Sequence, residues 1–249
     1  MTHIAIKGLA LTILIGCAGL IPKDLEYKID MEPLLPKGRG DYYVDIEDSS
    51  FVFSKEGVLV KIRHIPDKEL DRRFPPLFDG RHVNPYTGNL KDSETGYVPP
   101  RFTVFEITVV NLTYAKVEFD PAKAVLHTDT GEEHKYYDPG RQGAGPLGGN
   151  TFAKYYKTEL GISGNEKEIA LERMGIVYKT VYHRERPIFK GDQRTGMLVF
   201  DPLRKENEKV SLTISDFVLA FDASGNPEKT VNIEYVMRVD QGIVELAQR

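Results

Sequence analysis

Polar and apolar positions alternate with a period of two along much of this chain, the pattern of strands with one buried face. Phe51, Val52 and Phe53 open the series. Residues 57–65 continue it, with Val58, Val60 and Ile62 on one side and Leu59, Lys61 and Arg63 on the other. Residues 102–111 carry Phe102, Val104 and Val110 on one side and Phe105, Ile107 and Val109 on the other, with Glu106 interrupting one side, which predicts a central strand covered on two faces for part of its length. Residues 124–128 and 133–137 flank Asp129-Thr130-Gly131-Glu132 and predict a hairpin in which Gly131 supplies the positive φ. A further strand is predicted at 194–200. Residues 209–221 alternate through Val210, Leu212 and Ile214, change phase at Ser215-Asp216 and resume at Phe217, Leu219 and Phe221, as a bulge would require. The turn Ser224-Gly225-Asn226-Pro227 leads into 230–239, where Val231, Ile233, Tyr235, Met237 and Val239 share a face. About seven strands with turn signals between them predict a mainly β fold, an antiparallel sandwich.

Two stretches break the alternation. Residues 66–100 hold Pro75-Pro76, Asp79-Gly80, Asn84-Pro85, Thr87-Gly88-Asn89 and Pro99-Pro100, a connection long enough to be functional. It is a candidate recognition surface or an insertion packed by its own Phe74, Leu77, Phe78 and Tyr86. Residues 151–160 predict a short helix. Residues 166–182 predict a longer one, with Ile169, Met174, Tyr178 and Val181 on one face and a cost of roughly 1 kcal/mol at Gly175. The β body at 50–249 therefore carries a helical insertion at about 147–182. Tyr155, Tyr156, Tyr178 and Tyr182 are expected to pack that insertion onto the sheet. With 66–100, the loop at 138–164 is expected to form the contact surface.

The first residues carry a different signal. Positions 8–21 are uncharged, follow His3 and Lys7, and stop at Pro22-Lys23. As a helix this run would span about 21 Å, short of the ~30 Å hydrocarbon core, so it reads as an export signal. It contains Leu14-Ile15-Gly16-Cys17, with the chain's single cysteine. That motif resembles a bacterial lipobox. The resemblance implies a signal peptide at 1–16, cleavage before Cys17, acylation of Cys17 and of the new amino terminus, and a lipid bilayer as partner. Two or more acyl chains give the stable anchoring that one does not. Ala18 rather than aspartate after the cysteine implies the outer membrane in a Gram-negative cell. Residues 17–49 are then the anchor and a tether or edge-packed arm. Its 32 residues (49 minus 17) would reach up to ~100 Å fully extended, enough to hold a domain clear of the lipid.

A second resemblance concerns the body. Strand 102–111 ending in Asn111, the turn Phe189-Lys190-Gly191-Asp192, and the run Gly196-Met197-Leu198-Val199-Phe200-Asp201 resemble immunoglobulin-like modules of bacterial envelope lipoproteins. The resemblance covers roughly 51–239, implies an immunoglobulin-like sandwich and carries no catalytic residues.

Composition narrows the partners. The formal net charge is −4, and removal of Lys7 with the signal gives 32 minus 37, or −5, which disfavours nucleic acid. Hydrophobic residues at 41% and charged residues at 28% suit a globular domain. The expected partner is another envelope protein or a polysaccharide. Tryptophan is absent, so Tyr86 and Tyr97 are the candidate sugar platforms.

No cofactor site is expected. Gly143-Ala144-Gly145-Pro146-Leu147-Gly148 fits a dinucleotide fingerprint in letters, but Asp138-Pro139-Gly140-Arg141-Gln142 precedes it where a buried strand is needed. Ser163 lies in Gly161-Ile162-Ser163-Gly164, a helix-start signal and not a nucleophile elbow. Carboxylate pairs such as Asp45 with Glu47, or Glu132 with Glu133, do not stand out. The alternative to a binding module is a metal carrier or enzyme using His127 and His134, which flank the predicted hairpin turn beside Asp129, Glu132 and Glu133.

Overall fold

A computed structural model describes residues 24–38, 40–140, 150–159, 165–183 and 187–246. One sheet is built from β1 (Leu25–Pro33), β7 (Ala124–Thr128), β8 (Glu133–Lys135), β11 (Lys209–Phe221) and β12 (Pro227–Glu245), in the order β1-β12-β11-β7-β8. A second holds β2 (Tyr42–Val44), β3 (Phe51–Lys55), β4 (Val58–His64), β5 (Thr103–Asn111) and β10 (Gln193–Phe200), in the order β10-β5-β4-β3-β2. A short ribbon pairs β6 (Lys116–Val117) with β9 (Ile188–Phe189). Every ladder is antiparallel. The helices are α1 (Asp67–Arg73), α2 (Phe152–Glu159) and α3 (Asn165–Thr180). The architecture is thus largely β, with helical insertions.

Alternation in the sequence becomes alternation in burial. In β4, Val58, Val60 and Ile62 are buried and Leu59, Lys61 and Arg63 are half-buried. β5 is interior to its sheet, and its first three residues are all buried, as expected for a strand covered on both faces there. The phase change in β11 is a bulge: Ile214 pairs with Ile233, the next pair is Phe217 with Val231, and Asp216 takes φ 50° between them. The extra residue returns Phe217 and Leu219 to the face already holding Leu212 and Ile214, so all four are buried.

The inner faces of the two large sheets share one core. Tyr235 of β12 sits with its ring 5.2 Å from Phe51 and 6.1 Å from Tyr42, and its hydroxyl donates to the Val60 carbonyl at 2.6 Å. That hydrogen bond lets a phenol be fully buried without an orphaned donor.

Four elements depart from the sequence reading. Leu25–Pro33 forms β1 and pairs with β12 from Leu25 opposite Glu245 to Pro33 opposite Met237, which extends β12 past the expected 230–239. Its inward Tyr27, Ile29 and Met31 alternate with Glu26, Lys28, Asp30 and Glu32, the charged outer face of an edge strand. β2 is a three-residue edge strand with no period to detect. Within 66–100, seven residues form α1, too few for a helical period. Pro66 precedes α1, with acids Asp67 and Glu69 in its first turn and Arg72 and Arg73 in its last, matching the helix dipole. In α3 the buried residues are Arg173 and Val177; of the predicted face, Val181 just beyond the helix is buried and Met174 packs against the core, whereas Tyr178 is exposed.

The sheets have two unlike ends. At one end the strands turn tightly, at Glu56-Gly57, 112–115, 190–192 and 222–226. At the other lie the 66–100 connection, the turn after β7, the start of β1 and the finish of β12.

Candidate functional site

The two segments expected to carry recognition come together in one cap over the second sheet. α1 is held on the outer face of that sheet by four charges. Arg63 of β4 grips Glu69 with two bonds of 2.9 and 3.0 Å, and Arg73 reaches Glu69 at 2.6 Å and Glu106 of β5 at 2.6 Å. Glu106, the residue that broke the alternation of β5, is therefore the strand's attachment to the helix. The hydrogen bonds Glu69 accepts from Arg63, then those from Arg73, hold its carboxyl down at about 2.

Beyond α1, Asp71 accepts from Asn84 Nδ2 at 2.9 Å and Thr87 Oγ1 at 2.5 Å, while the Asn84 side chain accepts from the Tyr86 amide at 2.9 Å. These bonds drive Tyr86 inward between Phe74 and Phe152, at centroid distances of 5.8 and 6.0 Å. Its hydroxyl meets Thr180 Oγ1 of α3 at 2.5 Å, and the Tyr156 hydroxyl of α2 donates to the Pro85 carbonyl. Arg81 reaches Glu168 of α3 at 3.4 Å. Thr151 starts α2 by accepting from the Lys154 amide at 3.1 Å. Phe152 then packs among Phe102, Tyr137 and Tyr156 at 5.4 to 6.3 Å.

Arg173 is the cap's buried cation, only 4% exposed. Its Nη2 donates to the His82 carbonyl at 2.8 Å and its guanidinium lies over the Tyr156 ring at 5.6 Å. Its Nε, like Nη1 of Arg101, is buried without a hydrogen-bond partner among the described residues. Burial, then the charge of Arg101, lowers the Arg173 pKa. Burial, reinforced by Asp71, raises Asp67 to about 7, and burial lowers His64 to about 4.

Thr87, His82 and Asp71 supply the residue types of a nucleophilic triad in the wrong arrangement. The Thr87 hydroxyl is committed to Asp71 at 2.5 Å, and lies 3.3 Å from His82 Nε2, which itself stands 3.7 Å from the same carboxylate. A triad needs the base between nucleophile and acid, with the hydroxyl open to substrate. Thr87 is buried. The cluster fastens the loop.

Other predicted sites fall differently. His127 stands opposite Glu133, and Leu126 opposite His134, so the two histidines project from opposite faces of the β7–β8 hairpin. His134 is buried and lies 3.9 Å from Glu132, whereas the half-exposed His127 lies 3.7 Å from Glu133. Among the described residues no three His, Cys, Asp or Glu side chains form a metal-holding group. Tyr86 and Tyr97 are buried and cannot serve as sugar platforms; Tyr97 stacks on Tyr27 at 5.3 Å. Of the tyrosine stripe, Tyr155, Tyr156 and Tyr182 pack into the body, and Tyr178 is largely exposed while donating to the Gly140 carbonyl. Asp45 pairs with Lys61 at 2.6 Å rather than with Glu47. Cys17 and its motif, the glycine-rich run 143–148 and Ser163 lie outside the described residues.

Nothing in the local pattern marks Arg173, Asp71 or His82 as cap residues; a lone buried arginine within a helix has no spacing signature. No protein-family model, curated protein or solved structure matches this chain.

Proposed function

We propose that this chain is a lipid-anchored envelope protein, acylated at Cys17, whose two facing sheets are an elaborated immunoglobulin-like sandwich and whose cap binds another envelope protein. The anchor rests on Leu14-Ile15-Gly16-Cys17, a single cysteine at the end of an uncharged run. The sandwich reading is supported by two antiparallel sheets with one shared core and by a chain that passes repeatedly between them.

The observation that carries the binding role is Phe78. It is fully exposed at a turn closed by the Gly80 amide on the Leu77 carbonyl at 2.8 Å, and the adjacent Arg81 ties the turn to α3. An aromatic side chain held out on a braced turn, with a charged rim, is the composition of a protein-binding hot spot. With Tyr86 and Tyr97 buried, a protein partner is favoured over a polysaccharide.

Two variants test the reading. Cys17→Ser should abolish incorporation of labelled fatty acid and release the protein from membranes; continued labelling and retention would overturn the anchor. Phe78→Ser should remove the co-purifying envelope protein without altering thermal stability, and unchanged co-purification would overturn the assignment of the cap.

A further inference from the structure

We infer that the end of the first sheet where β1 begins rests against the bilayer, with Leu90, Ile243 and Leu246 in contact with a zwitterionic lipid surface. This rests on acylation of Cys17. Leu25–Pro33 is a strand, so the chain free to act as a tether is not 32 residues long. Asp24 follows Cys17 by seven residues (24 minus 17), and these can span at most about 25 Å. The domain therefore cannot stand clear of the lipid, and the surface around Asp24 must lie next to the headgroups.

Three exposed apolar side chains lie around that point. The Leu246 amide donates to the Asp24 carbonyl at 2.8 Å, which brings the end of β12 beside the anchor. Leu246 is 42% exposed and Ile243, opposite Tyr27, is 50% exposed. On the other side the Lys91 ammonium pairs with Asp24, and the neighbouring Leu90 is 78% exposed. The three apolar side chains thus flank the residue at which the lipid tether joins. The occupant is a membrane interface, because the tether's length and its point of attachment leave that end facing the lipid. Charge selects the headgroup. Lys91 is taken by Asp24, and Glu26 adds a further carboxylate at the start of β1, so anionic lipid would be repelled.

Acylation blocks Cys17, so one added cysteine carries one label. Leu90→Cys and Ile243→Cys mark the proposed contact, and Ser224→Cys marks the exposed turn at the opposite end. Each acylated variant is labelled with a fluorophore and reconstituted into phosphatidylcholine vesicles containing a nitroxide-bearing lipid. Quenching at positions 90 and 243 should exceed that at 224 by at least about threefold, as for side chains seated in the interface. Leu246→Cys repeats the reading beyond the end of β12, should the strand position disturb folding. Equal quenching at both ends, with Cys17 acylated by mass, would overturn the contact surface alone. An unmodified Cys17 in protein purified from membranes would overturn the anchor, and the surface with it.

Discussion

The two ends of the sheets solve the same problem, how to join strands, by opposite means. At the tight end a single side chain closes each of two turns, 112–115 and 222–226. Asn111, fully buried, donates to the carbonyls of Tyr114 at 2.8 Å and Ile188 at 3.0 Å and accepts from the Tyr114 amide at 3.0 Å. Asp222 closes the β11–β12 turn by accepting from the amides of Ser224 at 2.9 Å and Asn226 at 2.8 Å. At the elaborate end the joins are long and bridge distant parts of the chain, so Tyr86 meets Thr180 and Arg173 meets His82. Local closure suffices for a scaffold. A surface assembled from distant segments is where recognition can vary while the sheets stay fixed.

The contrast can be broken most severely at Phe152. Phe152→Ala removes the ring shared by Tyr86, Phe102, Tyr137 and Tyr156, and should cost about 3–5 kcal/mol in denaturant unfolding. Hydrogen exchange in that variant should accelerate in α2 and 82–87 before it does in β11 and β12. Uniform acceleration would mean that cap and sheets form a single cooperative unit.

Gly196 tests how the insertion joins the sheet edge. A Cβ there would lie 2.6 Å from Tyr182 Cα and 2.8 Å from its amide nitrogen, backbone atoms that cannot rotate away. Gly196→Ala should destabilise by about 1–3 kcal/mol and loosen the bond from the Tyr182 amide to the Met197 carbonyl.

The ion cluster under α1 gives a smaller effect with a defined pH window. Glu69 titrates at about 2 in the fold, against an ordinary value of 4.5. Its folded pKa is depressed, so its contribution is complete above pH 4.5 and is lost as pH falls through about 2. Its partial exposure limits the term to about 1 kcal/mol. Wild type should therefore lose that much more stability than Glu69→Gln between pH 5 and pH 2, measured by urea titration.

The mildest prediction is a gain. Gly175 sits within α3 with open space where a Cβ would stand, so Gly175→Ala should raise stability by about 0.5–1 kcal/mol.

The strands were legible because their burial follows from local period, even at the bulge of Asp216. What sequence could not show depended on register and on contacts across many positions. Pairing of His127 with Glu133 makes His127 and His134 alternate faces, and that parity is fixed only once the turn is known to span Asp129 to Gly131, with the Thr128 amide on the Glu132 carbonyl. β1 carried a faint alternation hidden by its charged outer face. Among cap residues, 66–100 and the helices stood out as non-sheet segments, but nothing local announced that Arg173 would be buried against His82 and Tyr156. Glu106 shows the converse, since its break in the strand pattern marked a real attachment point.

On the proposed anchoring at Cys17, the two ends of the sheets face different surroundings. Hydrogen–deuterium exchange of the acylated protein, compared in detergent and on phosphatidylcholine vesicles, reads this directly. Added protection is expected at 88–97 and 241–246, with no change at 55–57, 112–115 and 222–226. Protection at the tight turns, or at neither end, would contradict it.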